Sequence, residues 1–126
     1  MVDFFLSYLA QFYEIVVFTT GLPHNADPVI SKLDPFNYIT YRLYRDSAKY
    51  VDGVYVKDLE CLNRDLSRIV VLDTRKEEIE QKDNLVLLRP WTGEPGDQEL
   101  LKVLDFLESM SLFLILLIVS RFFLGL

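Results

Sequence analysis

Cysteine and histidine each occur once in this chain of 126 residues, and that scarcity removes whole classes of chemistry. Cys61 alone excludes an intramolecular disulfide and any multi-cysteine zinc site, and its expected role is core packing. His24 lies in a turn-like segment with no second ligand at a recognisable spacing and no relation to Cys61. The expectation is an exposed loop histidine, with neither a metal site nor a cysteine nucleophile. Positive charge is also in short supply: 13 Lys and Arg stand against 19 Asp and Glu, a formal net charge of -6. Binding a phosphate backbone requires clustered cations that release counterions, so nucleic acid is excluded as a partner. A cationic partner suits this balance, beside the plainer role of an acidic surplus in keeping a domain soluble. No positive segment followed by an apolar stretch opens the sequence, so neither a secretory signal nor an Arg-rich transit peptide is visible; a mitochondrial targeting signal would lie elsewhere. Internal repeats and low-complexity linkers are absent as well.

What is present suffices for one small core, at 51% hydrophobic and 13% aromatic residues. From Val2 to Tyr13 apolar residues recur at helical spacing, which predicts an amphipathic helix. Ile15-Val16-Val17-Phe18, closed by Thr19-Thr20-Gly21, has the continuous β-branched and aromatic character of a buried parallel strand. A short helix is expected over Val29 to Leu33, ended by Asp34-Pro35, and a strand over Tyr38 to Tyr44. Lys49-Tyr50-Val51 and Val54-Tyr55-Val56 flank Asp52-Gly53, a tight hairpin. Ile69 to Leu72, ending at Asp73, and Leu85 to Leu88 predict further strands, and Asp97 to Met110 a last helix. The pattern is α/β, a Rossmann-like parallel sheet with an inserted β-hairpin.

Residues 111–126 stand apart. Leu112 to Val119 is wholly apolar and continues through Ser120 and Arg121 to Phe122, Phe123 and Leu124. The run is shorter than the roughly 20 residues that cross a bilayer comfortably. A short anchor, a buried helix and an aberrant end of the reading frame all fit it, so the domain is set at 1–110 and the rest is treated as a tail.

Three polar residues fall where a phosphoryl site needs them, at the carboxyl ends of strands or beside the hairpin. The Thr19 hydroxyl suits a phosphate oxygen, Lys57 its charge, and Asp73 a magnesium ion. Singly, each has a common structural role, as turn residue, solvated lysine or helix cap. With Glu14 to Thr20, Tyr41 to Asp46, Tyr55 to Leu59, Leu62 to Leu66 and Val70 to Asp73, the chain resembles the haloacid-dehalogenase superfamily. The resemblance is to its branch of small carboxyl-terminal-domain phosphatases and FCP1-homology relatives. It implies that Thr19, Lys57 and Asp73 match the second, third and fourth motifs of that fold. The first motif, an Asp-x-Asp that supplies the nucleophile from the first strand, occurs nowhere in the chain. That strand is therefore expected to be missing, and without its carboxylate no aspartyl-phosphate route exists. Thr74 follows Asp73 where active members carry a second metal-binding residue, so no catalytic residue, metal or cofactor is assigned.

Within that branch, Lys32 to Pro35, Tyr41 to Arg45, the Asp52-Gly53 hairpin, Val56 to Leu59 and Arg89-Pro90-Trp91-Thr92-Gly93 resemble the receptor family of the mitochondrial inner-membrane import translocase. The resemblance implies a non-enzymatic protein-transport role: binding presequences in the intermembrane space and passing preproteins to the channel subunit of the presequence translocase in the inner membrane. The alternative is a protein serine phosphatase of the small carboxyl-terminal-domain type, and a third possibility is a truncated, nonfunctional product. Candidate partner-binding residues are Lys49, Tyr50, Val51, Val54 and Tyr55 on the hairpin, Glu77, Glu78 and Glu80 in the densest acidic stretch, and Trp91. An ordinary packed hairpin, a solvated charge run and a core-covering Trp are the plainer alternatives.

Overall fold

The computed structural model describes residues 2–89 and 99–120. Its centre is a sheet of five parallel strands in the order β2-β1-β7-β5-β6, with a separate antiparallel pair, β3-β4. In chain order the elements are α1 (Val2–Leu9), β1 (Glu14–Phe18), α2 (Pro23–Leu33), β2 (Tyr41–Leu43), β3 (Lys49–Val51), β4 (Val54–Val56), β5 (Ile69–Asp73), β6 (Leu85–Leu87), α3 (Glu99–Ser109) and β7 (Leu116–Val119).

Continuous apolar runs become strands buried on both faces, because each face has its own layer to meet. Ile15, Val17, Val70, Leu72, Leu117 and Val119 point to one side, where Phe5, Leu6 and Leu9 of α1, Ala26 and Ile30 of α2, and Leu104 and Leu107 of α3 pack on them. Val16, Phe18, Ile69, Val71, Leu116 and Ile118 point to the other, against Leu59, Ile79, Leu62 and Leu66 from the irregular segment that carries the hairpin. Tyr13 joins layers by donating its hydroxyl to the Leu107 carbonyl at 2.6 Å.

Strand β7 lies in the middle of the sheet, between β1 and β5. Glu14 to Val17 pair with Leu116 to Val119 on one edge, and Ile69 to Leu72 with the same four residues on the other. The pairing begins where the strands do: Glu14 N–H donates to the Ile115 carbonyl at 2.9 Å, and Ile115 N–H to the Arg68 carbonyl at 2.9 Å. Part of the segment set aside as a tail is thus the most enclosed strand of the sheet. Each of its four side chains contributes roughly 2 kcal/mol of burial.

Other boundaries moved for local reasons. Helix α2 begins at Pro23 rather than near Val29 and runs through Pro28. Pro28 and His24 are on the exposed side, where a carbonyl that has lost its intrahelical donor is solvated, while Ala26 and Ile30 are fully buried on the other. His24 is exposed as expected, though in a helix and not a loop. The strand expected from Tyr38 starts only at Tyr41 because buried Asp34 takes the backbone N–H groups of Tyr38 and Ile39, each at 2.9 Å. Cys61 is exposed, in the single turn Leu59–Leu62, and does not pack in the core.

Candidate functional site

Carboxyl ends of neighbouring parallel strands converge by construction, and here β1, β7 and β5 end in Phe18-Thr19, Val119-Ser120 and Asp73. Lys57 follows β4 and is carried inward by a bridge to Ile79: its N–H donates to the Glu78 carbonyl at 2.7 Å, and Glu80 N–H donates to its carbonyl at 3.0 Å. Its ammonium group meets Asp73 Oδ2 at 2.7 Å, with both side chains at 1% exposure or less. It also donates to Ser120 Oγ, and Ser120 Oγ donates to the Phe18 carbonyl at 2.8 Å. Asp73 Oδ1 accepts from the backbone N–H groups of Thr74 at 2.6 Å and Arg75 at 3.2 Å. The buried charges are therefore paired and hydrogen-bonded, the condition under which an ion pair is tolerated inside a protein.

Two of the three motif residues from the sequence, Lys57 and Asp73, thus meet directly. Thr19 is buried at the adjoining end of β1, where its hydroxyl accepts from Gly21 N–H at 3.0 Å. Thr20 donates to Glu78 Oε1 at 3.2 Å across the same end of the sheet. A magnesium ion does not fit this set. Both Asp73 oxygens are engaged by Lys57 and by backbone N–H groups, and among the described residues no three acidic, histidine or cysteine side chains converge. A cation beside the Lys57 ammonium would also meet like charge.

Ser120 was missed from sequence although a signal was there. Leu116-Leu117-Ile118-Val119-Ser120 repeats the plan of Val16-Val17-Phe18-Thr19 and Val70-Val71-Leu72-Asp73, a buried run closed by a polar residue.

The hairpin candidates are arranged differently. Asp52 and Gly53 both have positive φ, 49° and 85°, which the tight turn between β3 and β4 requires. Tyr55 is half-buried beside Arg45, whose guanidinium carbon lies 4.8 Å from the ring centre, and Arg45 Nε donates to the Thr20 carbonyl at 2.8 Å. Tyr50, 67% exposed, lies 5.0 Å from the Tyr55 ring centre, and Val51 and Val54 are exposed with it. Lys49 pairs with Asp58 at 3.0 Å. The Gln81 amide, then the Glu60 N–H and Lys49 hold the Asp58 carboxyl below the usual carboxylate range, and Asp58 in turn raises Lys49.

The acidic stretch divides. Glu77 and Glu80 are exposed, but Glu78 is buried and turned toward Thr20, so it does not belong to an outward acidic face. Trp91 and the loop at 90–93 lie outside the described residues.

A sequence profile of the family described as NLI interacting factor-like phosphatase matches residues 1–114. Among curated proteins, the chain is 48% identical over 105 residues to the human protein named mitochondrial import inner membrane translocase subunit TIM50, covering 82% of this chain and 30% of that protein. It is 46% identical over 108 residues to the protein of the same name from Gibberella zeae, covering 85% and 21%. The chain therefore spans about a fifth to three-tenths of the length of these relatives. Among solved structures, Fcp1, an essential RNA polymerase II CTD phosphatase, superposes with a TM-score of 0.62 at 23% identity, covering 87% of this chain and 34% of that one. The fission yeast Fcp1 bound to beryllium fluoride superposes at 0.60 and 21% identity. These likenesses show the haloacid-dehalogenase-like fold.

Proposed function

The chain belongs to the NLI interacting factor-like phosphatase family, and from that premise we propose that it is a binding member: a receptor-like part of the mitochondrial presequence translocase. In this reading it faces the intermembrane space, binds presequences, and passes preproteins to the inner-membrane channel. One observation carries the preference for binding over hydrolysis. The middle strand of the sheet ends in the hydroxyl of Ser120, sealed against Lys57, Asp73 and the Phe18 carbonyl. An aspartyl-phosphate route needs a carboxylate there, and the sequence holds no Asp-x-Asp.

The rest of the reading is supported by chemistry and by kinship. Presequences are basic amphipathic helices. A net charge of -6 draws them at long range, and the hairpin offers exposed apolar contact on both faces, Tyr50 on one and Val51 with Val54 on the other. Tyr55 lies beside Tyr50 and Lys49 shares the face of Val51 and Val54, Glu77 and Glu80 supply exposed carboxylates, and Trp91 belongs to the proposed contact set by sequence. The relatives at 46–48% identity are named as translocase subunits. A fluorescent presequence peptide titrated into the chain tests the proposal. Saturable binding that the hairpin substitution Tyr50→Ser weakens is the expected result; binding untouched by that substitution moves the contact off the hairpin.

The family's description as phosphatases favours a second reading, a protein serine phosphatase. Hydrolysis of a small phosphate ester by this chain, dependent on magnesium and abolished by Asp73→Asn, would establish it in place of the first.

A further inference from the structure

Helix α1 buries Phe5, Leu6 and Leu9 against the sheet, and a second row of side chains runs beside that stripe. Phe4, Tyr8 and Phe12 follow one another four residues apart, with ring centres 5.8 Å apart in the first pair and 5.6 Å in the second. The core does not account for the row: Tyr8 is half-buried, but Phe4 is 55% and Phe12 39% exposed. Single apolar side chains on a surface are ordinary, whereas a contiguous aromatic row has the composition of a docking surface. Its spacing indicates what docks there. The rings repeat at close to the roughly 5.4 Å pitch of an α-helix, so a helix laid alongside presents one side chain per turn to each ring.

The neighbouring helix supplies charge of one sign. Helix α3 packs beside α1 and holds Asp105 and Glu108 exposed at its surface. The Tyr8 hydroxyl is raised above its ordinary value by its hydrogen bond to the Glu108 carboxylate, by partial burial and by the charges of Glu108 and Asp105, so both carboxylates border the middle ring. Helix α1 carries no lysine or arginine, and α3 carries one, Lys102. Rings bordered by carboxylates hold a guanidinium or ammonium group in two ways, over the ring face and in an ion pair. The same carboxylates repel a second copy of this surface and an anionic lipid surface. The hairpin is elsewhere: α1 and α3 cover one face of the sheet, and the segment that carries the hairpin covers the other.

We propose that the α1–α3 surface docks a cationic amphipathic helix of a partner protein, with the helix's apolar side chains on Phe4, Tyr8 and Phe12 and its arginine or lysine side chains against Asp105 and Glu108. The proposal goes beyond the receptor reading and does not depend on the hairpin contact. The test titrates the full chain with a synthetic amphipathic helix of leucine and arginine, about 18 residues or five turns long, and follows the backbone amide resonances. Saturable shifts at residues 4–12 and 105–109 are expected. Phe4→Ser with Phe12→Ser should weaken binding about fivefold, having removed two ring faces. Asp105→Asn with Glu108→Gln should weaken it by a similar factor and flatten its dependence on salt. All four side chains are exposed or outside the core, so both double variants should keep the thermal transition of the parent. Phe36→Ser removes an exposed ring outside the row, 72% exposed, and should leave the affinity unchanged. Shifts confined to residues 49–56 would overturn this proposal while leaving the receptor reading standing. Binding that either double variant leaves intact, equal binding of a peptide with glutamate in place of arginine, self-association of the chain through residues 4–12, or no binding of the peptide would overturn it as well.

Discussion

Lys49 and Lys57 bracket the same hairpin and each pairs with an aspartate, yet the two pairs live in different solvents. Lys57 and Asp73 are at 1% and 0% exposure, 2.7 Å apart, with every remaining contact made to protein. Lys49 and Asp58 are at 50% and 19%, 3.0 Å apart, and the lysine faces water. A buried pair is costly to disturb and cannot present itself to a partner. An exposed pair contributes about 0–1 kcal/mol and leaves its surroundings accessible. The residues that resemble phosphatase motifs therefore sit where they hold the sheet together, while the hairpin sits where a partner can reach it.

Several substitutions would break or sharpen that contrast. The largest effect is expected from Leu117→Asp, which puts an unpaired charge at the centre of the sheet. A cost of about 4 kcal/mol or more should remove the cooperative thermal transition. Lys57→Met leaves Asp73 buried and uncompensated, at about 3–5 kcal/mol. The double variant Lys57→Met with Asp73→Leu should recover much of that loss in denaturant unfolding. If the two single costs simply add, the pair is not the closed unit described here. Tyr50→Ser on the hairpin should change stability by no more than about 0.5 kcal/mol while weakening peptide binding; a large stability loss would make the hairpin part of the core.

The smallest effect belongs to Asp58. Its folded-state pKa is depressed, so its stabilisation is fully present above the unfolded value of about 3.9 and disappears as pH falls through the folded value. Acid unfolding of Asp58→Asn should be slightly shallower below about pH 3.9 than that of the parent chain.

The parallel strands were legible because Ile15 to Phe18 and Ile69 to Leu72 are continuous β-branched runs closed by a polar residue, and the hairpin because Asp52-Gly53 suits one turn. Strand β7 was not, because an unbroken apolar run carries no period to separate strand, helix and anchor. Only its partners on both edges decide. Lys57 and Asp73 could be named from spacing, but their mutual pairing depends on the Ile79 bridge, which no local pattern encodes. Glu78 was grouped with Glu77 and Glu80 because a charge run reads as one face. The single turn Lys76–Glu78 sends it inward instead, toward Thr20.

The most direct test of a binding domain built on a sealed phosphatase-like frame is the salt dependence of its affinity for a basic amphipathic presequence peptide. Measured from about 0.05 to 0.3 M salt, over which the screening length shortens from about 14 to about 6 Å, affinity should be present at the low end and fall steadily toward the high end. Absent binding, or binding that salt leaves unchanged, would contradict the account.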